Sequence, residues 1–380
     1  MTTRKTPSRP LWMGVVAAPF VLSATLAPAS TATHTSLTKS DRHAEFIYSA
    51  NQAAENVSGY RIDLKNGKLV KLPGSPFVSG HYPVAIAMSS DHRFVYAANQ
   101  GSASISAYAV DPENGGLRPV SGSPFKVGIY PDAITITPDD RFAYVTNEDG
   151  NIVTSYELNT TSGALTKTGS PVRTGAHPIS VTVSPNGKFA FVSNFNGDSV
   201  NAYRIDQQSG ALLPVSKIAK TDLHPIYMST SIDNRFLYVA NYGTATVSVF
   251  HVDAASGELN EISGSPFVAG SQPYSLTVDP TNRFVYVANW GSHNVSAFKR
   301  DLKTGALTEI PGSPYATGWF PYAVVVDPKD NYVYIADNGA GTITAYQLNP
   351  NSGALSKIPG SPFKAEPGPY ALTIGAVGSP

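Results

Sequence analysis

His177 and His224 each stand directly before a proline, Pro178 and Pro225. Imidazole is the side chain best placed to take up a proton near neutral pH, so either histidine can act as a general base that activates water. His81 lies one residue out of the same register, ahead of Pro83. Asp132 follows Pro131 and can orient an imidazole, while Tyr82, Tyr130 and Tyr227 carry hydroxyls able to donate to a developing oxyanion. Trp319 and Phe320 offer ring faces on which a ligand can stack. This set suits the addition of water to a carbonyl. His177, His224 and Asp132 are the expected catalytic groups, with His81, Tyr82, Tyr130, Tyr227, Trp319 and Phe320 expected to bind substrate. The competing reading is that a residue before proline adopts an extended conformation whatever its type, and that the histidines merely cap loops.

Other chemistry is less well supplied. Glu148, Asp149, Asn194, Asp198, Asp337 and Asn338 have oxygens suited to a hard cation, yet neither a DxDxDG-like loop nor HExxH is present. No metal and no cofactor is expected. Lys126, Arg173, Lys220 and Lys364 recur five residues before a proline, where a phosphate clamp competes with ordinary solvated charge. There is no nucleophile elbow, phosphate loop or nucleotide fingerprint. Cysteine is absent, which excludes disulfides and a thiolate nucleophile.

The elements that must position these residues are read from a repeat. A short apolar run closes on Asn51, Asn99, Asn147, Asn194, Asn241, Asn289 and Asp337, at steps of 47 or 48 residues. Pro83, Pro131, Pro178, Pro225, Pro273, Pro321 and Pro369 keep the same beat, as do the turn glycines Gly67, Gly116, Gly163, Gly210, Gly257, Gly305 and Gly353. Six copies end in Gly-Ser-Pro; the fourth reads PVSKIAK from Pro214 to Lys220 and, by this count, also carries the unusual Tyr227. Runs such as Phe284 to Ala288 are β-branched and aromatic, and their neighbours alternate apolar with small residues, the pattern of pleated strands. Each copy therefore spells four short antiparallel strands.

A sheet with two apolar faces needs like neighbours on both sides, and a period of this length signals a solenoid, propeller or array. The first copy starts at its second strand near Phe46, whereas a spare proline-led strand, Pro369 to Ile374, follows the last. The expectation is an all-β, seven-bladed β-propeller of four-stranded antiparallel blades, closed by pairing the C-terminal strand with the N-terminal blade. Large Ile86, Ile134, Val181, Met228, Leu276, Val324 and Leu372 against small Ala85, Ala133, Ser180, Ser275, Ala323 and Ala371 suit wedges around an axis. Residues beside the strand-opening prolines then ring the mouth of a central funnel, with the polar ones on one side.

Residues 1–29 place Arg4, Lys5 and Arg9 ahead of an uncharged stretch ending in Ala27-Pro28-Ala29, the layout of a secretory signal peptide. Residues 30–44 read as a flexible leader and 45–380 as the propeller domain. A secreted or periplasmic protein is expected, with no membrane span after processing. Removing the three basic residues leaves 24 basic against 27 acidic side chains, so nucleic acid is not an expected partner.

The strand motifs Val285-Tyr286-Val287-Ala288-Asn289, Ala143-Tyr144-Val145-Thr146-Asn147 and Leu237-Tyr238-Val239-Ala240-Asn241 resemble those of YVTN-type seven-bladed propellers. With the Thr304-Gly305-Ala306-Leu307 turn and Asp279-Pro280-Thr281-Asn282-Arg283-Phe284, the chain is similar to the lactonase family typified by 6-phosphogluconolactonase. That resemblance implies hydrolysis of a lactone ester, and a small-molecule lactone or carbohydrate as ligand. The alternative is a non-catalytic extracytoplasmic binding or scaffold propeller with a protein partner.

Overall fold

The most apolar segment of each repeat becomes the middle of a sheet. In the computed structural model of the chain, which describes residues 44–377, Phe94–Asn99, Phe142–Asn147, Phe189–Asn194, Phe236–Asn241, Phe284–Asn289 and Tyr332–Asp337 are buried along their whole length. They are covered on both faces because each sheet is sandwiched between two others. The described strands form seven antiparallel sheets, here blades 1 to 7 in chain order. Blade 6 is representative: Pro273–Val278 is innermost, followed outward by Phe284–Asn289, Asn294–Arg300 and a broken outer strand, Leu307–Glu309 and Tyr315–Ala316. Blade 3 alone keeps its outer strand whole, as Leu165–Arg173.

Closure occurs as expected. Ala44–Asn51 pairs on one side with Asn56–Ile62 and on the other with Pro369–Val377, where Phe46 faces Gly375 and Ile47 faces Ile374. Blade 1 thus takes its innermost strand from the far end of the chain. The expected signal segment, 1–29, and the leader, 30–44, lie outside the described residues except for Ala44.

Neighbouring blades are joined by a buried polar lock. The hydroxyls of Tyr48, Tyr96, Tyr144, Tyr238, Tyr286 and Tyr334 donate to the carbonyls of Gly115, Gly163, Gly210, Gly305, Gly353 and Gly67 in the adjacent blade, at 2.6–3.0 Å. In blade 4 the tyrosine is replaced by Phe191, which has no hydroxyl to give. The turn glycine of blade 2 is Gly115 rather than Gly116: it holds φ at 73°, and it restores the two-residue spacing to Leu117 seen in every other copy.

Two further expectations are corrected. The residue before each opening proline is not extended. Tyr82, Tyr130, His177, His224, Gln272 and Phe320 all have φ between 50° and 64°, in the left-handed region, and the seventh such residue is Gly368. Each accepts, through its carbonyl, a hydrogen bond from the residue after the recurring Asn or Asp, as His177 does from Phe195 N and Tyr130 from Glu148 N. That bond, repeated around the ring, holds the left-handed turn against a cost of about 1–2 kcal/mol per residue. The two irregularities assigned to one copy also separate: PVSKIAK ends blade 4, whereas Tyr227 lies on Pro225–Thr230, the innermost strand of blade 5.

Candidate functional site

The left-handed turns bring two loops together at one end of the axis: the one entering each innermost strand and the one joining the second and third strands. Three residues per blade therefore ring the funnel: one before the proline, one after it, and one after the Asn or Asp. Blades 2 to 4 contribute a connected polar wall. Gln100 Nε2 donates to Asp132 Oδ1 at 2.6 Å, Glu148 Oε1 contacts His177 Nε2, and His177 Nδ1 lies 2.7 Å from the Asn196 side-chain amide. With Asn196 donating to Nδ1, the His177 proton sits on Nε2 and points at Glu148.

Asp132 is 8% exposed, and its Oδ2 is buried without a donor facing it. Burial, and next the adjacent Glu148 carboxylate, push its carboxyl well above the ordinary carboxylate range. Two carboxyls that share a site in this way cannot both ionise cheaply, so the more buried Asp132 keeps the proton.

Blades 5, 6, 7 and 1 contribute aromatic rings instead. Tyr274 packs against Tyr322 at 4.4 Å between centroids, Tyr322 against Tyr370 at 4.4 Å, and Tyr227 against Tyr274 at 5.7 Å. The hydroxyls of Tyr274 and Tyr370 are hydrogen-bonded to each other. Burial raises Tyr227 and Tyr370 above the ordinary phenol range. Trp290 stacks on Phe320 at 4.6 Å, and Tyr242 adjoins Trp290 at 6.2 Å. Beneath these rings the axis holds a cavity of about 160 Å³, lined by Ala133, Ser180, Tyr227, Met228, Ala323 and Tyr370 among others.

The structure brings together only part of the expected set. Asp132 and His177 share the polar wall, but the imidazole partner is Glu148, not Asp132. His224 makes no ring-nitrogen hydrogen bond to the polar wall; it stacks on Phe195 at 4.4 Å while its backbone N donates to Asp198. His81 is exposed and pairs with Glu55 at 2.9 Å. Tyr82, Tyr130 and Trp319 are exposed at 53%, 42% and 66%. Tyr227 lines the axial cavity and Phe320 belongs to the aromatic stack. Lys126, Arg173, Lys220 and Lys364 sit on outer strands, exposed and away from the funnel. The recurring Asn does more than turn the chain: Asn241 Nδ2, for example, donates to Thr246 and Ser248, clamping the second strand to the third.

Sequence reasoning missed Glu148 as the link between Asp132 and His177, along with Gln100 and Asn196. The signal was there in the register, since Gln100 and Glu148 occupy the same repeat position, one residue after Asn99 and Asn147. Among the described residues no group of three or more His, Asp or Glu is arranged to hold a metal ion.

A sequence model of the seven-bladed lactonase family matches residues 72–182, 176–270, 227–318 and 280–369, together well over half of the chain. The chain belongs to the lactonase family. A search of curated proteins gives no match. Among solved structures, this lactonase-family propeller is similar to a candidate 6-phosphogluconolactonase from Bacteroides fragilis, with a TM-score of 0.77 at 20% identity, covering 89% of this chain and 99% of that one. It is similar to the periplasmic gluconolactonase PpgL of Pseudomonas aeruginosa, at 0.74 and 19%, covering 89% and 99%. A functionally unknown protein from Desulfotomaculum acetoxidans gives 0.68 at 16%, covering 87% and 98%. At these identities the likeness is one of fold.

Proposed function

We propose that this lactonase-family propeller hydrolyses an unphosphorylated sugar-type lactone in the central funnel, outside the cytoplasm. The observation that carries the reading is the wall formed by Asp132, Glu148 and His177 opposite a face of tyrosines. Glu148, oriented by the His177 N–H, takes a proton from the attacking water as its oxygen bonds to the lactone carbonyl carbon. Asp132 donates a hydrogen bond to the developing oxyanion and then passes its proton to the ring oxygen when that C–O bond breaks. The proton gained by Glu148 returns to Asp132, which regenerates the pair and leaves a hydroxy acid. Tyrosine faces suit the C–H side of a sugar ring.

The absence of phosphate follows from charge. None of the three ring positions in any blade carries Lys or Arg, whereas a phosphate needs converging cationic donors. An extracytoplasmic site is supported by the signal-like pattern of residues 1–29; among the described residues no helix is long and apolar enough to cross a membrane.

The test is turnover of aldonolactones by the purified protein, with and without a 6-phosphate. Hydrolysis of the unphosphorylated ring, reduced about 10²- to 10⁴-fold in kcat by Glu148→Gln, is the expected result. Equal rates in wild type and Glu148→Gln would remove the carboxyl pair from the mechanism. No turnover of any lactone would leave a binding propeller.

A further inference from the structure

At the rim opposite the funnel, the loop leaving each innermost strand meets its counterpart in the next blade. Between blades 5 and 6 that junction is filled by Arg300, the last residue of its third strand, which is 2% exposed. Its Nη1 donates to Asn282 O at 2.8 Å and its Nη2 to Asp233 Oδ2 at 2.9 Å, while the guanidinium carbon lies 5.1 Å from the centre of the Phe236 ring.

The junction between blades 3 and 4 repeats this seat without the arginine. Asp139, Phe142 and Gly187 hold the repeat positions of Asp233, Phe236 and Asn282, and the third strand ends in the shorter Ile205. These four residues help to line a cavity of about 250 Å³. One local feature opens it. Gly187, with φ at 69°, replaces the side-chain-bearing His92, Asp140, Asn234, Asn282 and Asp330 found at this left-handed position in other blades. There, Asp140, Asn234 and Asn282 accept from backbone N–H groups of the preceding blade, those of Ser90, Asn186 and Ile232. Gly187 has no side chain to reach across in this way.

We infer that the cleft between blades 3 and 4 is a binding site for a guanidinium group, held by the Asp139 carboxylate, the Gly187 carbonyl and the face of Phe142. The planar fork fits because the same residue positions already hold one in Arg300. Gln207 Nε2 donates to Gly187 O at 2.9 Å, which leaves that carbonyl a second lone pair. Arg141 Nη1 stands 4.0 Å from Asp139 Oδ2 but directs its donors to the carbonyls of Gln207 and Gln208, so the carboxylate remains open to a second cation. The guanidinium can belong to a small free molecule or to an arginine side chain of a peptide.

The experiment is an amide NMR titration of the whole protein with N-methylguanidinium, with methylammonium as control and a Gly-Arg-Gly amide as the peptide arm. Saturable shifts at Gly187 and Ile205 with a Kd on the order of millimolar are expected, about tenfold weaker with methylammonium. Ile205→Arg places a guanidinium in the cleft from within and is expected to abolish the response; Asp139→Asn, a milder change, is expected to weaken it about tenfold without altering lactone turnover. Tighter binding of the peptide than of N-methylguanidinium assigns the site to a protein partner, and the reverse to a small molecule. Absence of saturation, or the same titration in both variants as in wild type, overturns the inference.

Discussion

Glu148 stands between a carboxyl that keeps its proton and an imidazole whose other nitrogen faces an amide. Neither His177 nitrogen is left open, so in the proposed hydrolysis His177 positions Glu148 and Glu148 accepts the proton. Asp132 must be protonated to donate. Its raised carboxyl predicts that lactone hydrolysis falls as pH climbs through its folded value, which lies well above the ordinary carboxylate range. In Asp132→Asn, kcat is expected to drop and that alkaline limb to vanish; a pH profile unchanged by the substitution would refute the role. Asp132 and His177 were visible in the sequence because both adjoin a proline in a fixed register. Glu148 stood out only as an oxygen suited to a cation and not as a proton acceptor, since a carboxylate in a loop is ordinary until the register of blades 2 to 4 brings Gln100, Asp132, Glu148 and His177 side by side.

Between neighbouring strands and blades the same hydrogen bonds recur, so departures from them are informative. Asp337 alone replaces the recurring Asn, and burial raises its carboxyl to about 6 from the ordinary 3.8 even though Thr342 and Thr344 donate to it. The folded protein therefore holds a proton that the unfolded chain has released. The contribution of Asp337 to stability is full below about pH 4 and declines by about 3 kcal/mol as pH rises through about 6. Asp337→Asn is expected to remove this decline and to raise Tm at neutral pH, because Asn Nδ2 can donate to both threonine hydroxyls as Asn241 does to Thr246 and Ser248. Equal pH dependence of Tm in both proteins would contradict this. Tyr286→Phe deletes the bond to Gly353 and leaves a buried carbonyl without its donor, so a loss of about 1–3 kcal/mol is expected from urea titration. These strands were legible from alternation and the Asn marker. The inter-blade tyrosine bond was not, because its partner lies 66 or 67 residues on, or 267 residues back across the closure.

For the whole molecule, seven copies and one displaced strand suffice to dictate a ring, and both features stood in the sequence. The left-handed turns before the prolines did not, because proline restricts its predecessor only statistically and the loop hydrogen bonds decide the outcome. Deleting Pro369–Val377 strips Ala44–Asn51 of its inner partner. The shortened chain is expected to lose its cooperative thermal transition and to self-associate through the bared strand, and a synthetic peptide of that segment to restore the transition in calorimetry. A truncated protein that melts like the intact one would contradict closure as the source of stability. The pairing of Ile47 with Ile374 also has a temporal meaning. A nascent chain offers its opening strand long before the complementary segment has been synthesised, so the circle locks only after Pro369–Val377 has left the ribosome or, for an exported chain, the translocation pore. Any product of premature termination would carry an unpaired strand that chaperones and proteases can recognise.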